Sequence, residues 1–163
     1  MGIMRFSVIA SGVLAIQLLV PAAKLVNDNC INEGTKPMVL LAMQNSQFKD
    51  SVMTVVKSSL EAISYCVKVI PDDGLDVEVM ENYKAAIIVN TCRFGSIGGT
   101  AAKFVKKLSQ KEKKRVLLFT TGKDKWLPKN VDVDCVSSAS RLVNALSAAD
   151  SIVAKTKAIL NGK

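Results

Sequence analysis

Apolar residues in this chain fall into short unbroken runs, and between the runs they recur three and four positions apart. The runs lie at 38–43, 65–70, 85–89 and 115–120. They have the length and continuity of strands buried on both faces, as in a parallel sheet. From Phe48 the apolar positions are 48, 52, 55, 56, 60 and 63, which lays one stripe along a helix, and Asn45 or Ser46 would be its N-cap. Gly98-Gly99-Thr100 leads into a second stripe at 101, 104, 105 and 108, and a third runs through 142, 146, 149, 152, 153 and 159. Residues 131–136 alternate weakly and predict a short fifth strand, with Ser137-Ser138-Ala139-Ser140 capping the last helix. Pro71-Asp72-Asp73-Gly74 is a turn cluster, 75–84 is acidic with room for one or two helical turns, and 111–114 reads as a solvated break. Strand and helix alternate with crossover-length connections. That predicts an α/β fold: a parallel sheet with helices on both faces and right-handed connections.

The 163 residues make one domain, expected over 37–163. Before it, residues 1–23 hold one charge, Arg5, an apolar run from 6 to 20 and the small residues Pro21-Ala22-Ala23. A basic start, an apolar middle and a small-residue exit is the pattern of an export signal. The run is marginally short for a membrane span, which needs about 20 residues. Two readings stay open: export with cleavage after Ala22, or a tether to the membrane by residues 6–23. Residues 24–36 are polar and mixed, and read as a linker.

The net charge of +8 bears on partners. Lys103, Lys106, Lys107, Lys111, Lys113, Lys114 and Arg115 cluster, but no aromatics interleave with them as a single-strand binder requires. We read them as a solvated helix face, without a nucleic-acid partner; a basic surface also suits an anionic membrane or an acidic protein. The chain has no histidine and four cysteines without a CxxC pair, so we expect no metal site. Cys66 and Cys92 read as small core residues, and a Cys30–Cys135 bridge is open in an exported protein.

Candidate chemistry gathers where the run at 85–89 ends in Asn90-Thr91-Cys92-Arg93-Phe94-Gly95. Loops leaving the carboxyl ends of strands are where open α/β sheets bind ligands. No GxxxxGK[ST] phosphate loop occurs, and Met43-Gln44-Asn45 lacks the acids of a receiver domain.

Several segments over about 37–161 resemble the flavodoxin family. Residues 81–89 (ENYKAAIIV) are similar to its Y-D-x-I-I-x-G strand entry. Residues 90–95 resemble its S-P-x-Y-x-G flavin loop, and Thr91-Cys92-Arg93-Phe94-Gly95 is similar to the S-I-R-Y-G of the menaquinone-dependent protoporphyrinogen oxidase branch. Phe104-Val105-Lys106-Lys107 matches F-v-k-k, and 115–121 resembles K-x-v-a-l-F-s-t. The resemblance implies a three-layer sandwich with a five-stranded sheet in the order 2-1-3-4-5. It also implies FMN, bound by Gln44, Asn45, Ser46, Gln47 and Phe48 at the phosphate, with Thr91, Cys92, Arg93, Phe94 and Gly95 on one side of the ring and Thr121, Gly122 and Trp126 on the other. Phe94 would stack on the flavin. The family's S-x-T-G-x-T phosphate loop reads here Met43-Gln44-Asn45-Ser46-Gln47-Phe48, with Ser46 for the glycine and Phe48 for the last threonine. Glycine lets backbone approach the phosphate closely. The resemblance therefore implies either an FMN-dependent electron-transfer or oxidoreductase domain, working with a redox protein or a quinone, or a degenerate, cofactor-free interaction module.

Overall fold

The apolar runs form five strands: β1 (Met38–Met43), β2 (Cys66–Pro71), β3 (Ala85–Thr91), β4 (Val116–Gly122) and β5 (Asp134–Ala139). In this computed structural model, which describes residues 35–92, 95–124, 127–129 and 131–162, all neighbours are parallel and the order is β2-β1-β3-β4-β5. That is the flavodoxin-like order, whose topological switch point lies between β1 and β3.

Helices α1 (Gln47–Glu61) and α4 (Ala145–Leu160) cover one face of the sheet; α2 (Gly99–Lys107) and the 3-10 turns Asp72–Val77 and Met80–Asn82 cover the other. Strand alternation divides the core accordingly. Ala85, Ile87 and Val89 of β3 join Leu117 and Phe119 of β4 under α1 and α4, while Ala86 and Ile88 join Val116 and Leu118 under α2. Each fully buried Val, Leu or Ile contributes about 1.5–3 kcal/mol, so these two layers hold the strand ends in place. Among the described residues no helix is long and apolar enough to cross a membrane.

Five expectations need correction. The fifth strand is shifted to Asp134–Ala139, so Ser137 and Ser138 are buried strand residues instead of a helix cap. The last helix starts only at Ala145, after a 3-10 turn at Leu142–Asn144, and its buried residues are Ala145, Ala148, Ala149, Ile152 and Thr156. Alanines let α4 lie close to the sheet and α1, and this rotation leaves Leu142 and Leu146 in solvent. The break at 111–114 holds a short helix, α3 (Gln110–Lys113), started by a Ser109–Glu112 capping box. Finally, Cys66 at the head of β2 is disulfide-bonded, not a plain core thiol. Cys92 and Cys135 are free, so no Cys30–Cys135 bridge forms; Cys30 itself lies outside the described residues.

Candidate functional site

Parallel register brings the three loops to one rim. Met43 is level with Val89, Thr91 with Thr121, and Gly122 with Ala139, so the segments that follow β1, β3 and β4 all leave from the carboxyl ends of adjacent strands. Backbone bonds tie two of them together. Cys92 N donates to Thr121 O at 2.9 Å, and Lys129 N donates to Gly95 O at 2.9 Å. Gly95 has φ +75°, a left-handed conformation that favours glycine. At Gly122 a side chain would meet the backbone oxygens of Asp124 at 3.4 Å and Cys92 at 3.6 Å, so the two loops pass close to each other there.

The loop after β1 presents Gln44, Asn45, Ser46 and Gln47 in solvent. Ser46 is the N-cap of α1, and its Oγ accepts from Lys49 N at 3.3 Å. Phe48 points the other way. It is 5 % exposed and packs against Phe119 with ring centroids 6.3 Å apart, so its side chain belongs to the core and only its backbone can face the rim. Thr91 and Cys92 are half-buried and Thr121 is buried. Arg93, Phe94 and Trp126 lie outside the described residues.

The sequence reading missed a lysine. Lys49, in the first turn of α1, is only 5 % exposed, and its Nζ donates to Thr91 Oγ1 at 3.0 Å. Strand alternation explains the meeting: Thr91 follows Ile87 and Val89 on the face that α1 covers. The ammonium therefore sits under the rim at the switch point between β1 and β3. Burial lowers its pKa, and the carboxylates of Asp72 and Asp50 oppose that shift. Among the described residues no carboxylate lies in ion-pair contact with Lys49. One signal of its role was legible: a lysine in the first turn of a helix sits against the positive end of the dipole and needs a reason to be there.

Two acids complete the local charge. Gln44 Nε2 donates to Asp72 Oδ2 at 2.6 Å, which pins the loop to the end of β2. The Ser46 backbone N–H donates to the Asp50 carboxylate, and burial still raises that carboxyl above its ordinary range. Asp50 Oδ1 and Asn90 Oδ1 are buried with no hydrogen-bond partner among the described residues. The start of α1 thus carries its own carboxylate where helix N–H groups would otherwise face an anion. Among the described residues no cluster of His, Cys, Asp or Glu could hold a metal.

No protein-family model matches the sequence, and no curated protein matches it. Solved structures that are similar include a flavodoxin from the domain Archaea, at 8 % identity over 76 % of this chain and 98 % of that one, with a TM-score of 0.49. An oxidoreductase from Corynebacterium diphtheriae matches at 11 % identity over 77 % and 96 %, and oxidised flavodoxin 2 from Bacillus cereus at 14 % over 74 % and 97 %, each with a TM-score of 0.49. At these values they carry no functional argument, and the flavodoxin-like fold rests on the strand order itself.

Proposed function

We propose that the chain is a flavodoxin-fold electron-transfer or oxidoreductase domain that binds FMN at the rim of β1, β3 and β4. The observation that supports this best is the Lys49 ammonium held at the switch point under the loops after β1 and β3. Positive charge there would favour a phosphate-bearing ligand beyond what the helix N–H groups supply, and Lys49 offers it where the sequence lacks the glycine of the family's loop. Asn45 and Ser46 would face the phosphate. Thr91, Cys92 and Gly95 on one loop and Thr121 and Gly122 on the other would flank the ring, with Arg93, Phe94 and Trp126 assigned by resemblance alone. When bound, the flavin supplies the hydride or electron chemistry, and the protein's part is to orient it and set its surroundings. The reaction partner on this reading is a redox protein or a quinone. We further propose that the protein is exported or held at the membrane by residues 6–23; the disulfide at Cys66 supports passage through an oxidising compartment.

One observation favours a second reading, a cofactor-free interaction module. The Asp50 carboxylate accepts from the Ser46 N–H, and that acid opposes a phosphate dianion at the same helix start. Titration of the purified protein with FMN, followed by quenching of flavin fluorescence, separates the two. Binding at micromolar concentration, weakened in Asn45→Ala and Ser46→Ala, upholds the first reading. No quenching at that concentration leaves the second.

A further inference from the structure

Four large apolar side chains stand in solvent at the carboxyl rim. Leu142 is 52 % exposed, Val143 86 % and Leu146 68 %, all on the 3-10 turn and first turn of α4; Leu127, in the β4–β5 connection, is 61 % exposed. The fold places basic residues beside the first three. Ser140 N donates to Gly122 O at 2.8 Å, so the chain leaving β5 runs alongside the chain leaving β4, and the exposed Arg141 and Lys123 follow those bonded residues directly. Among the described residues that leave β3, β4 and β5 (92, 95–98, 123–124, 127–129 and 140–141), Lys123, Lys129 and Arg141 stand against the single acid Asp124. At the opposite edge of the sheet Asp72 and Asp73 follow directly on β2, and Asp72 Oδ2 accepts from Gln44 Nε2 at 2.6 Å. The rim thus carries acids beside β2 and exposed basic and apolar residues beside β5.

We propose that the β5 end of this rim docks on an anionic lipid surface, with Leu142, Val143 and Leu146 entering the headgroup boundary and Arg141 and Lys123 meeting the lipid charge. Interfacial binding of this kind scales with the apolar area buried and with attraction to anionic lipid. A residue as exposed as Val143 protrudes and does not line a groove, which suits insertion into a fluid interface. Asp150, exposed one turn after Leu146, marks the limit of the contact along α4. On the reading proposed above, the apolar run at 6–20 brings the chain to a membrane, as an export signal or as a tether. The docking face stands apart from Lys49 and does not depend on flavin binding.

Amide hydrogen exchange on the full chain tests this locally, independent of the N-terminal run. Vesicles of phosphatidylglycerol in phosphatidylcholine should slow exchange at 141–147, and vesicles of phosphatidylcholine alone should not. The vesicle concentration needed should rise about fivefold in Arg141→Gln and about tenfold or more in Val143→Ser/Leu146→Ser. Because these side chains are exposed, the melting temperature of each variant should match the wild type. Unchanged exchange at 141–147 on anionic vesicles would overturn the proposal, as would protection that survives in the double variant. Protection that grows with protein concentration in the absence of vesicles would assign the face to a second copy of the chain instead.

Discussion

Lys49 Nζ donates to Thr91 Oγ1 at 3.0 Å, and the bond joins the first turn of α1 to the last residue of β3. It crosses the switch point of the sheet, so the one contact both steadies the rim and places a positive charge beneath it.

Replacing this lysine should separate binding from stability. A charge-assisted hydrogen bond contributes about 1.5–3 kcal/mol, so Lys49→Met should weaken FMN about ten- to hundredfold, read by fluorescence titration. Stability should not fall in parallel, because a buried ammonium exchanged for an apolar side chain of similar length no longer has to be desolvated. A variant that loses stability and keeps FMN affinity would give Lys49 a purely structural role.

The same residue sets a pH dependence. Its pKa is lowered in the folded protein from an ordinary 10.5, so between the lowered value and 10.5 the unfolded chain holds the extra proton. Stability then rises with pH across that window. Chemical denaturation of the wild type minus Lys49→Met should show this rise toward alkaline pH. A flat difference would mean the ammonium is not desolvated.

Asp50 is expected to act against an anionic ligand. Asp50→Asn keeps a side chain at the start of α1 but removes the negative charge, and FMN should bind several-fold more tightly, by a helix-terminus effect of about 0.3–1 kcal/mol. Its carboxyl is raised above 3.8 in the folded state. The folded protein therefore binds the extra proton between 3.8 and that raised value, and stability conferred by protonation increases as pH falls through it. The stability of Asp50→Asn should exceed the wild type at neutral pH and converge with it in acid.

Gly95 should resist substitution for a backbone reason. Nothing lies within 4 Å of where its Cβ would be, yet φ is +75°. Gly95→Ala should cost about 1–2 kcal/mol, seen as a lower denaturation midpoint. It should also loosen the 2.9 Å bond from Lys129 N to Gly95 O, exposing that amide to hydrogen exchange.

Thiol counting checks the cysteines. With Cys92 and Cys135 free, denatured but unreduced protein should take up two equivalents of a thiol reagent, and reduced protein four. In the folded protein Cys135 should alkylate slowly at pH 8, since burial pushes its thiol up to about 11 and its Sγ donates to Val133 O at 3.3 Å.

The order of elements was legible because strands buried on both faces must be apolar throughout, while helices on a sheet need only one apolar stripe. Those two periods placed β1 to β4, α1 and α2 to within a residue or two, and narrowed the cap of α1 to Asn45 or Ser46, of which the fold uses Ser46. Parallel direction then required the loops after β1, β3 and β4 to share a rim. What the chain could not reveal by itself depends on neighbours distant in sequence. Val131–Val136 alternates better than Asp134–Ala139, yet pairing with β4 chose the second. The leucines at 142 and 146 belong to a helical period, but small alanines at 145, 148 and 149 allow the closer approach to the sheet, so the alanine face was buried and the leucines were left outside. Lys49 reads as a solvated charge until α1 is laid over the end of β3. Tertiary packing alone took that ammonium out of water and set it against Thr91, because burial is a property of the assembled faces and not of any one segment.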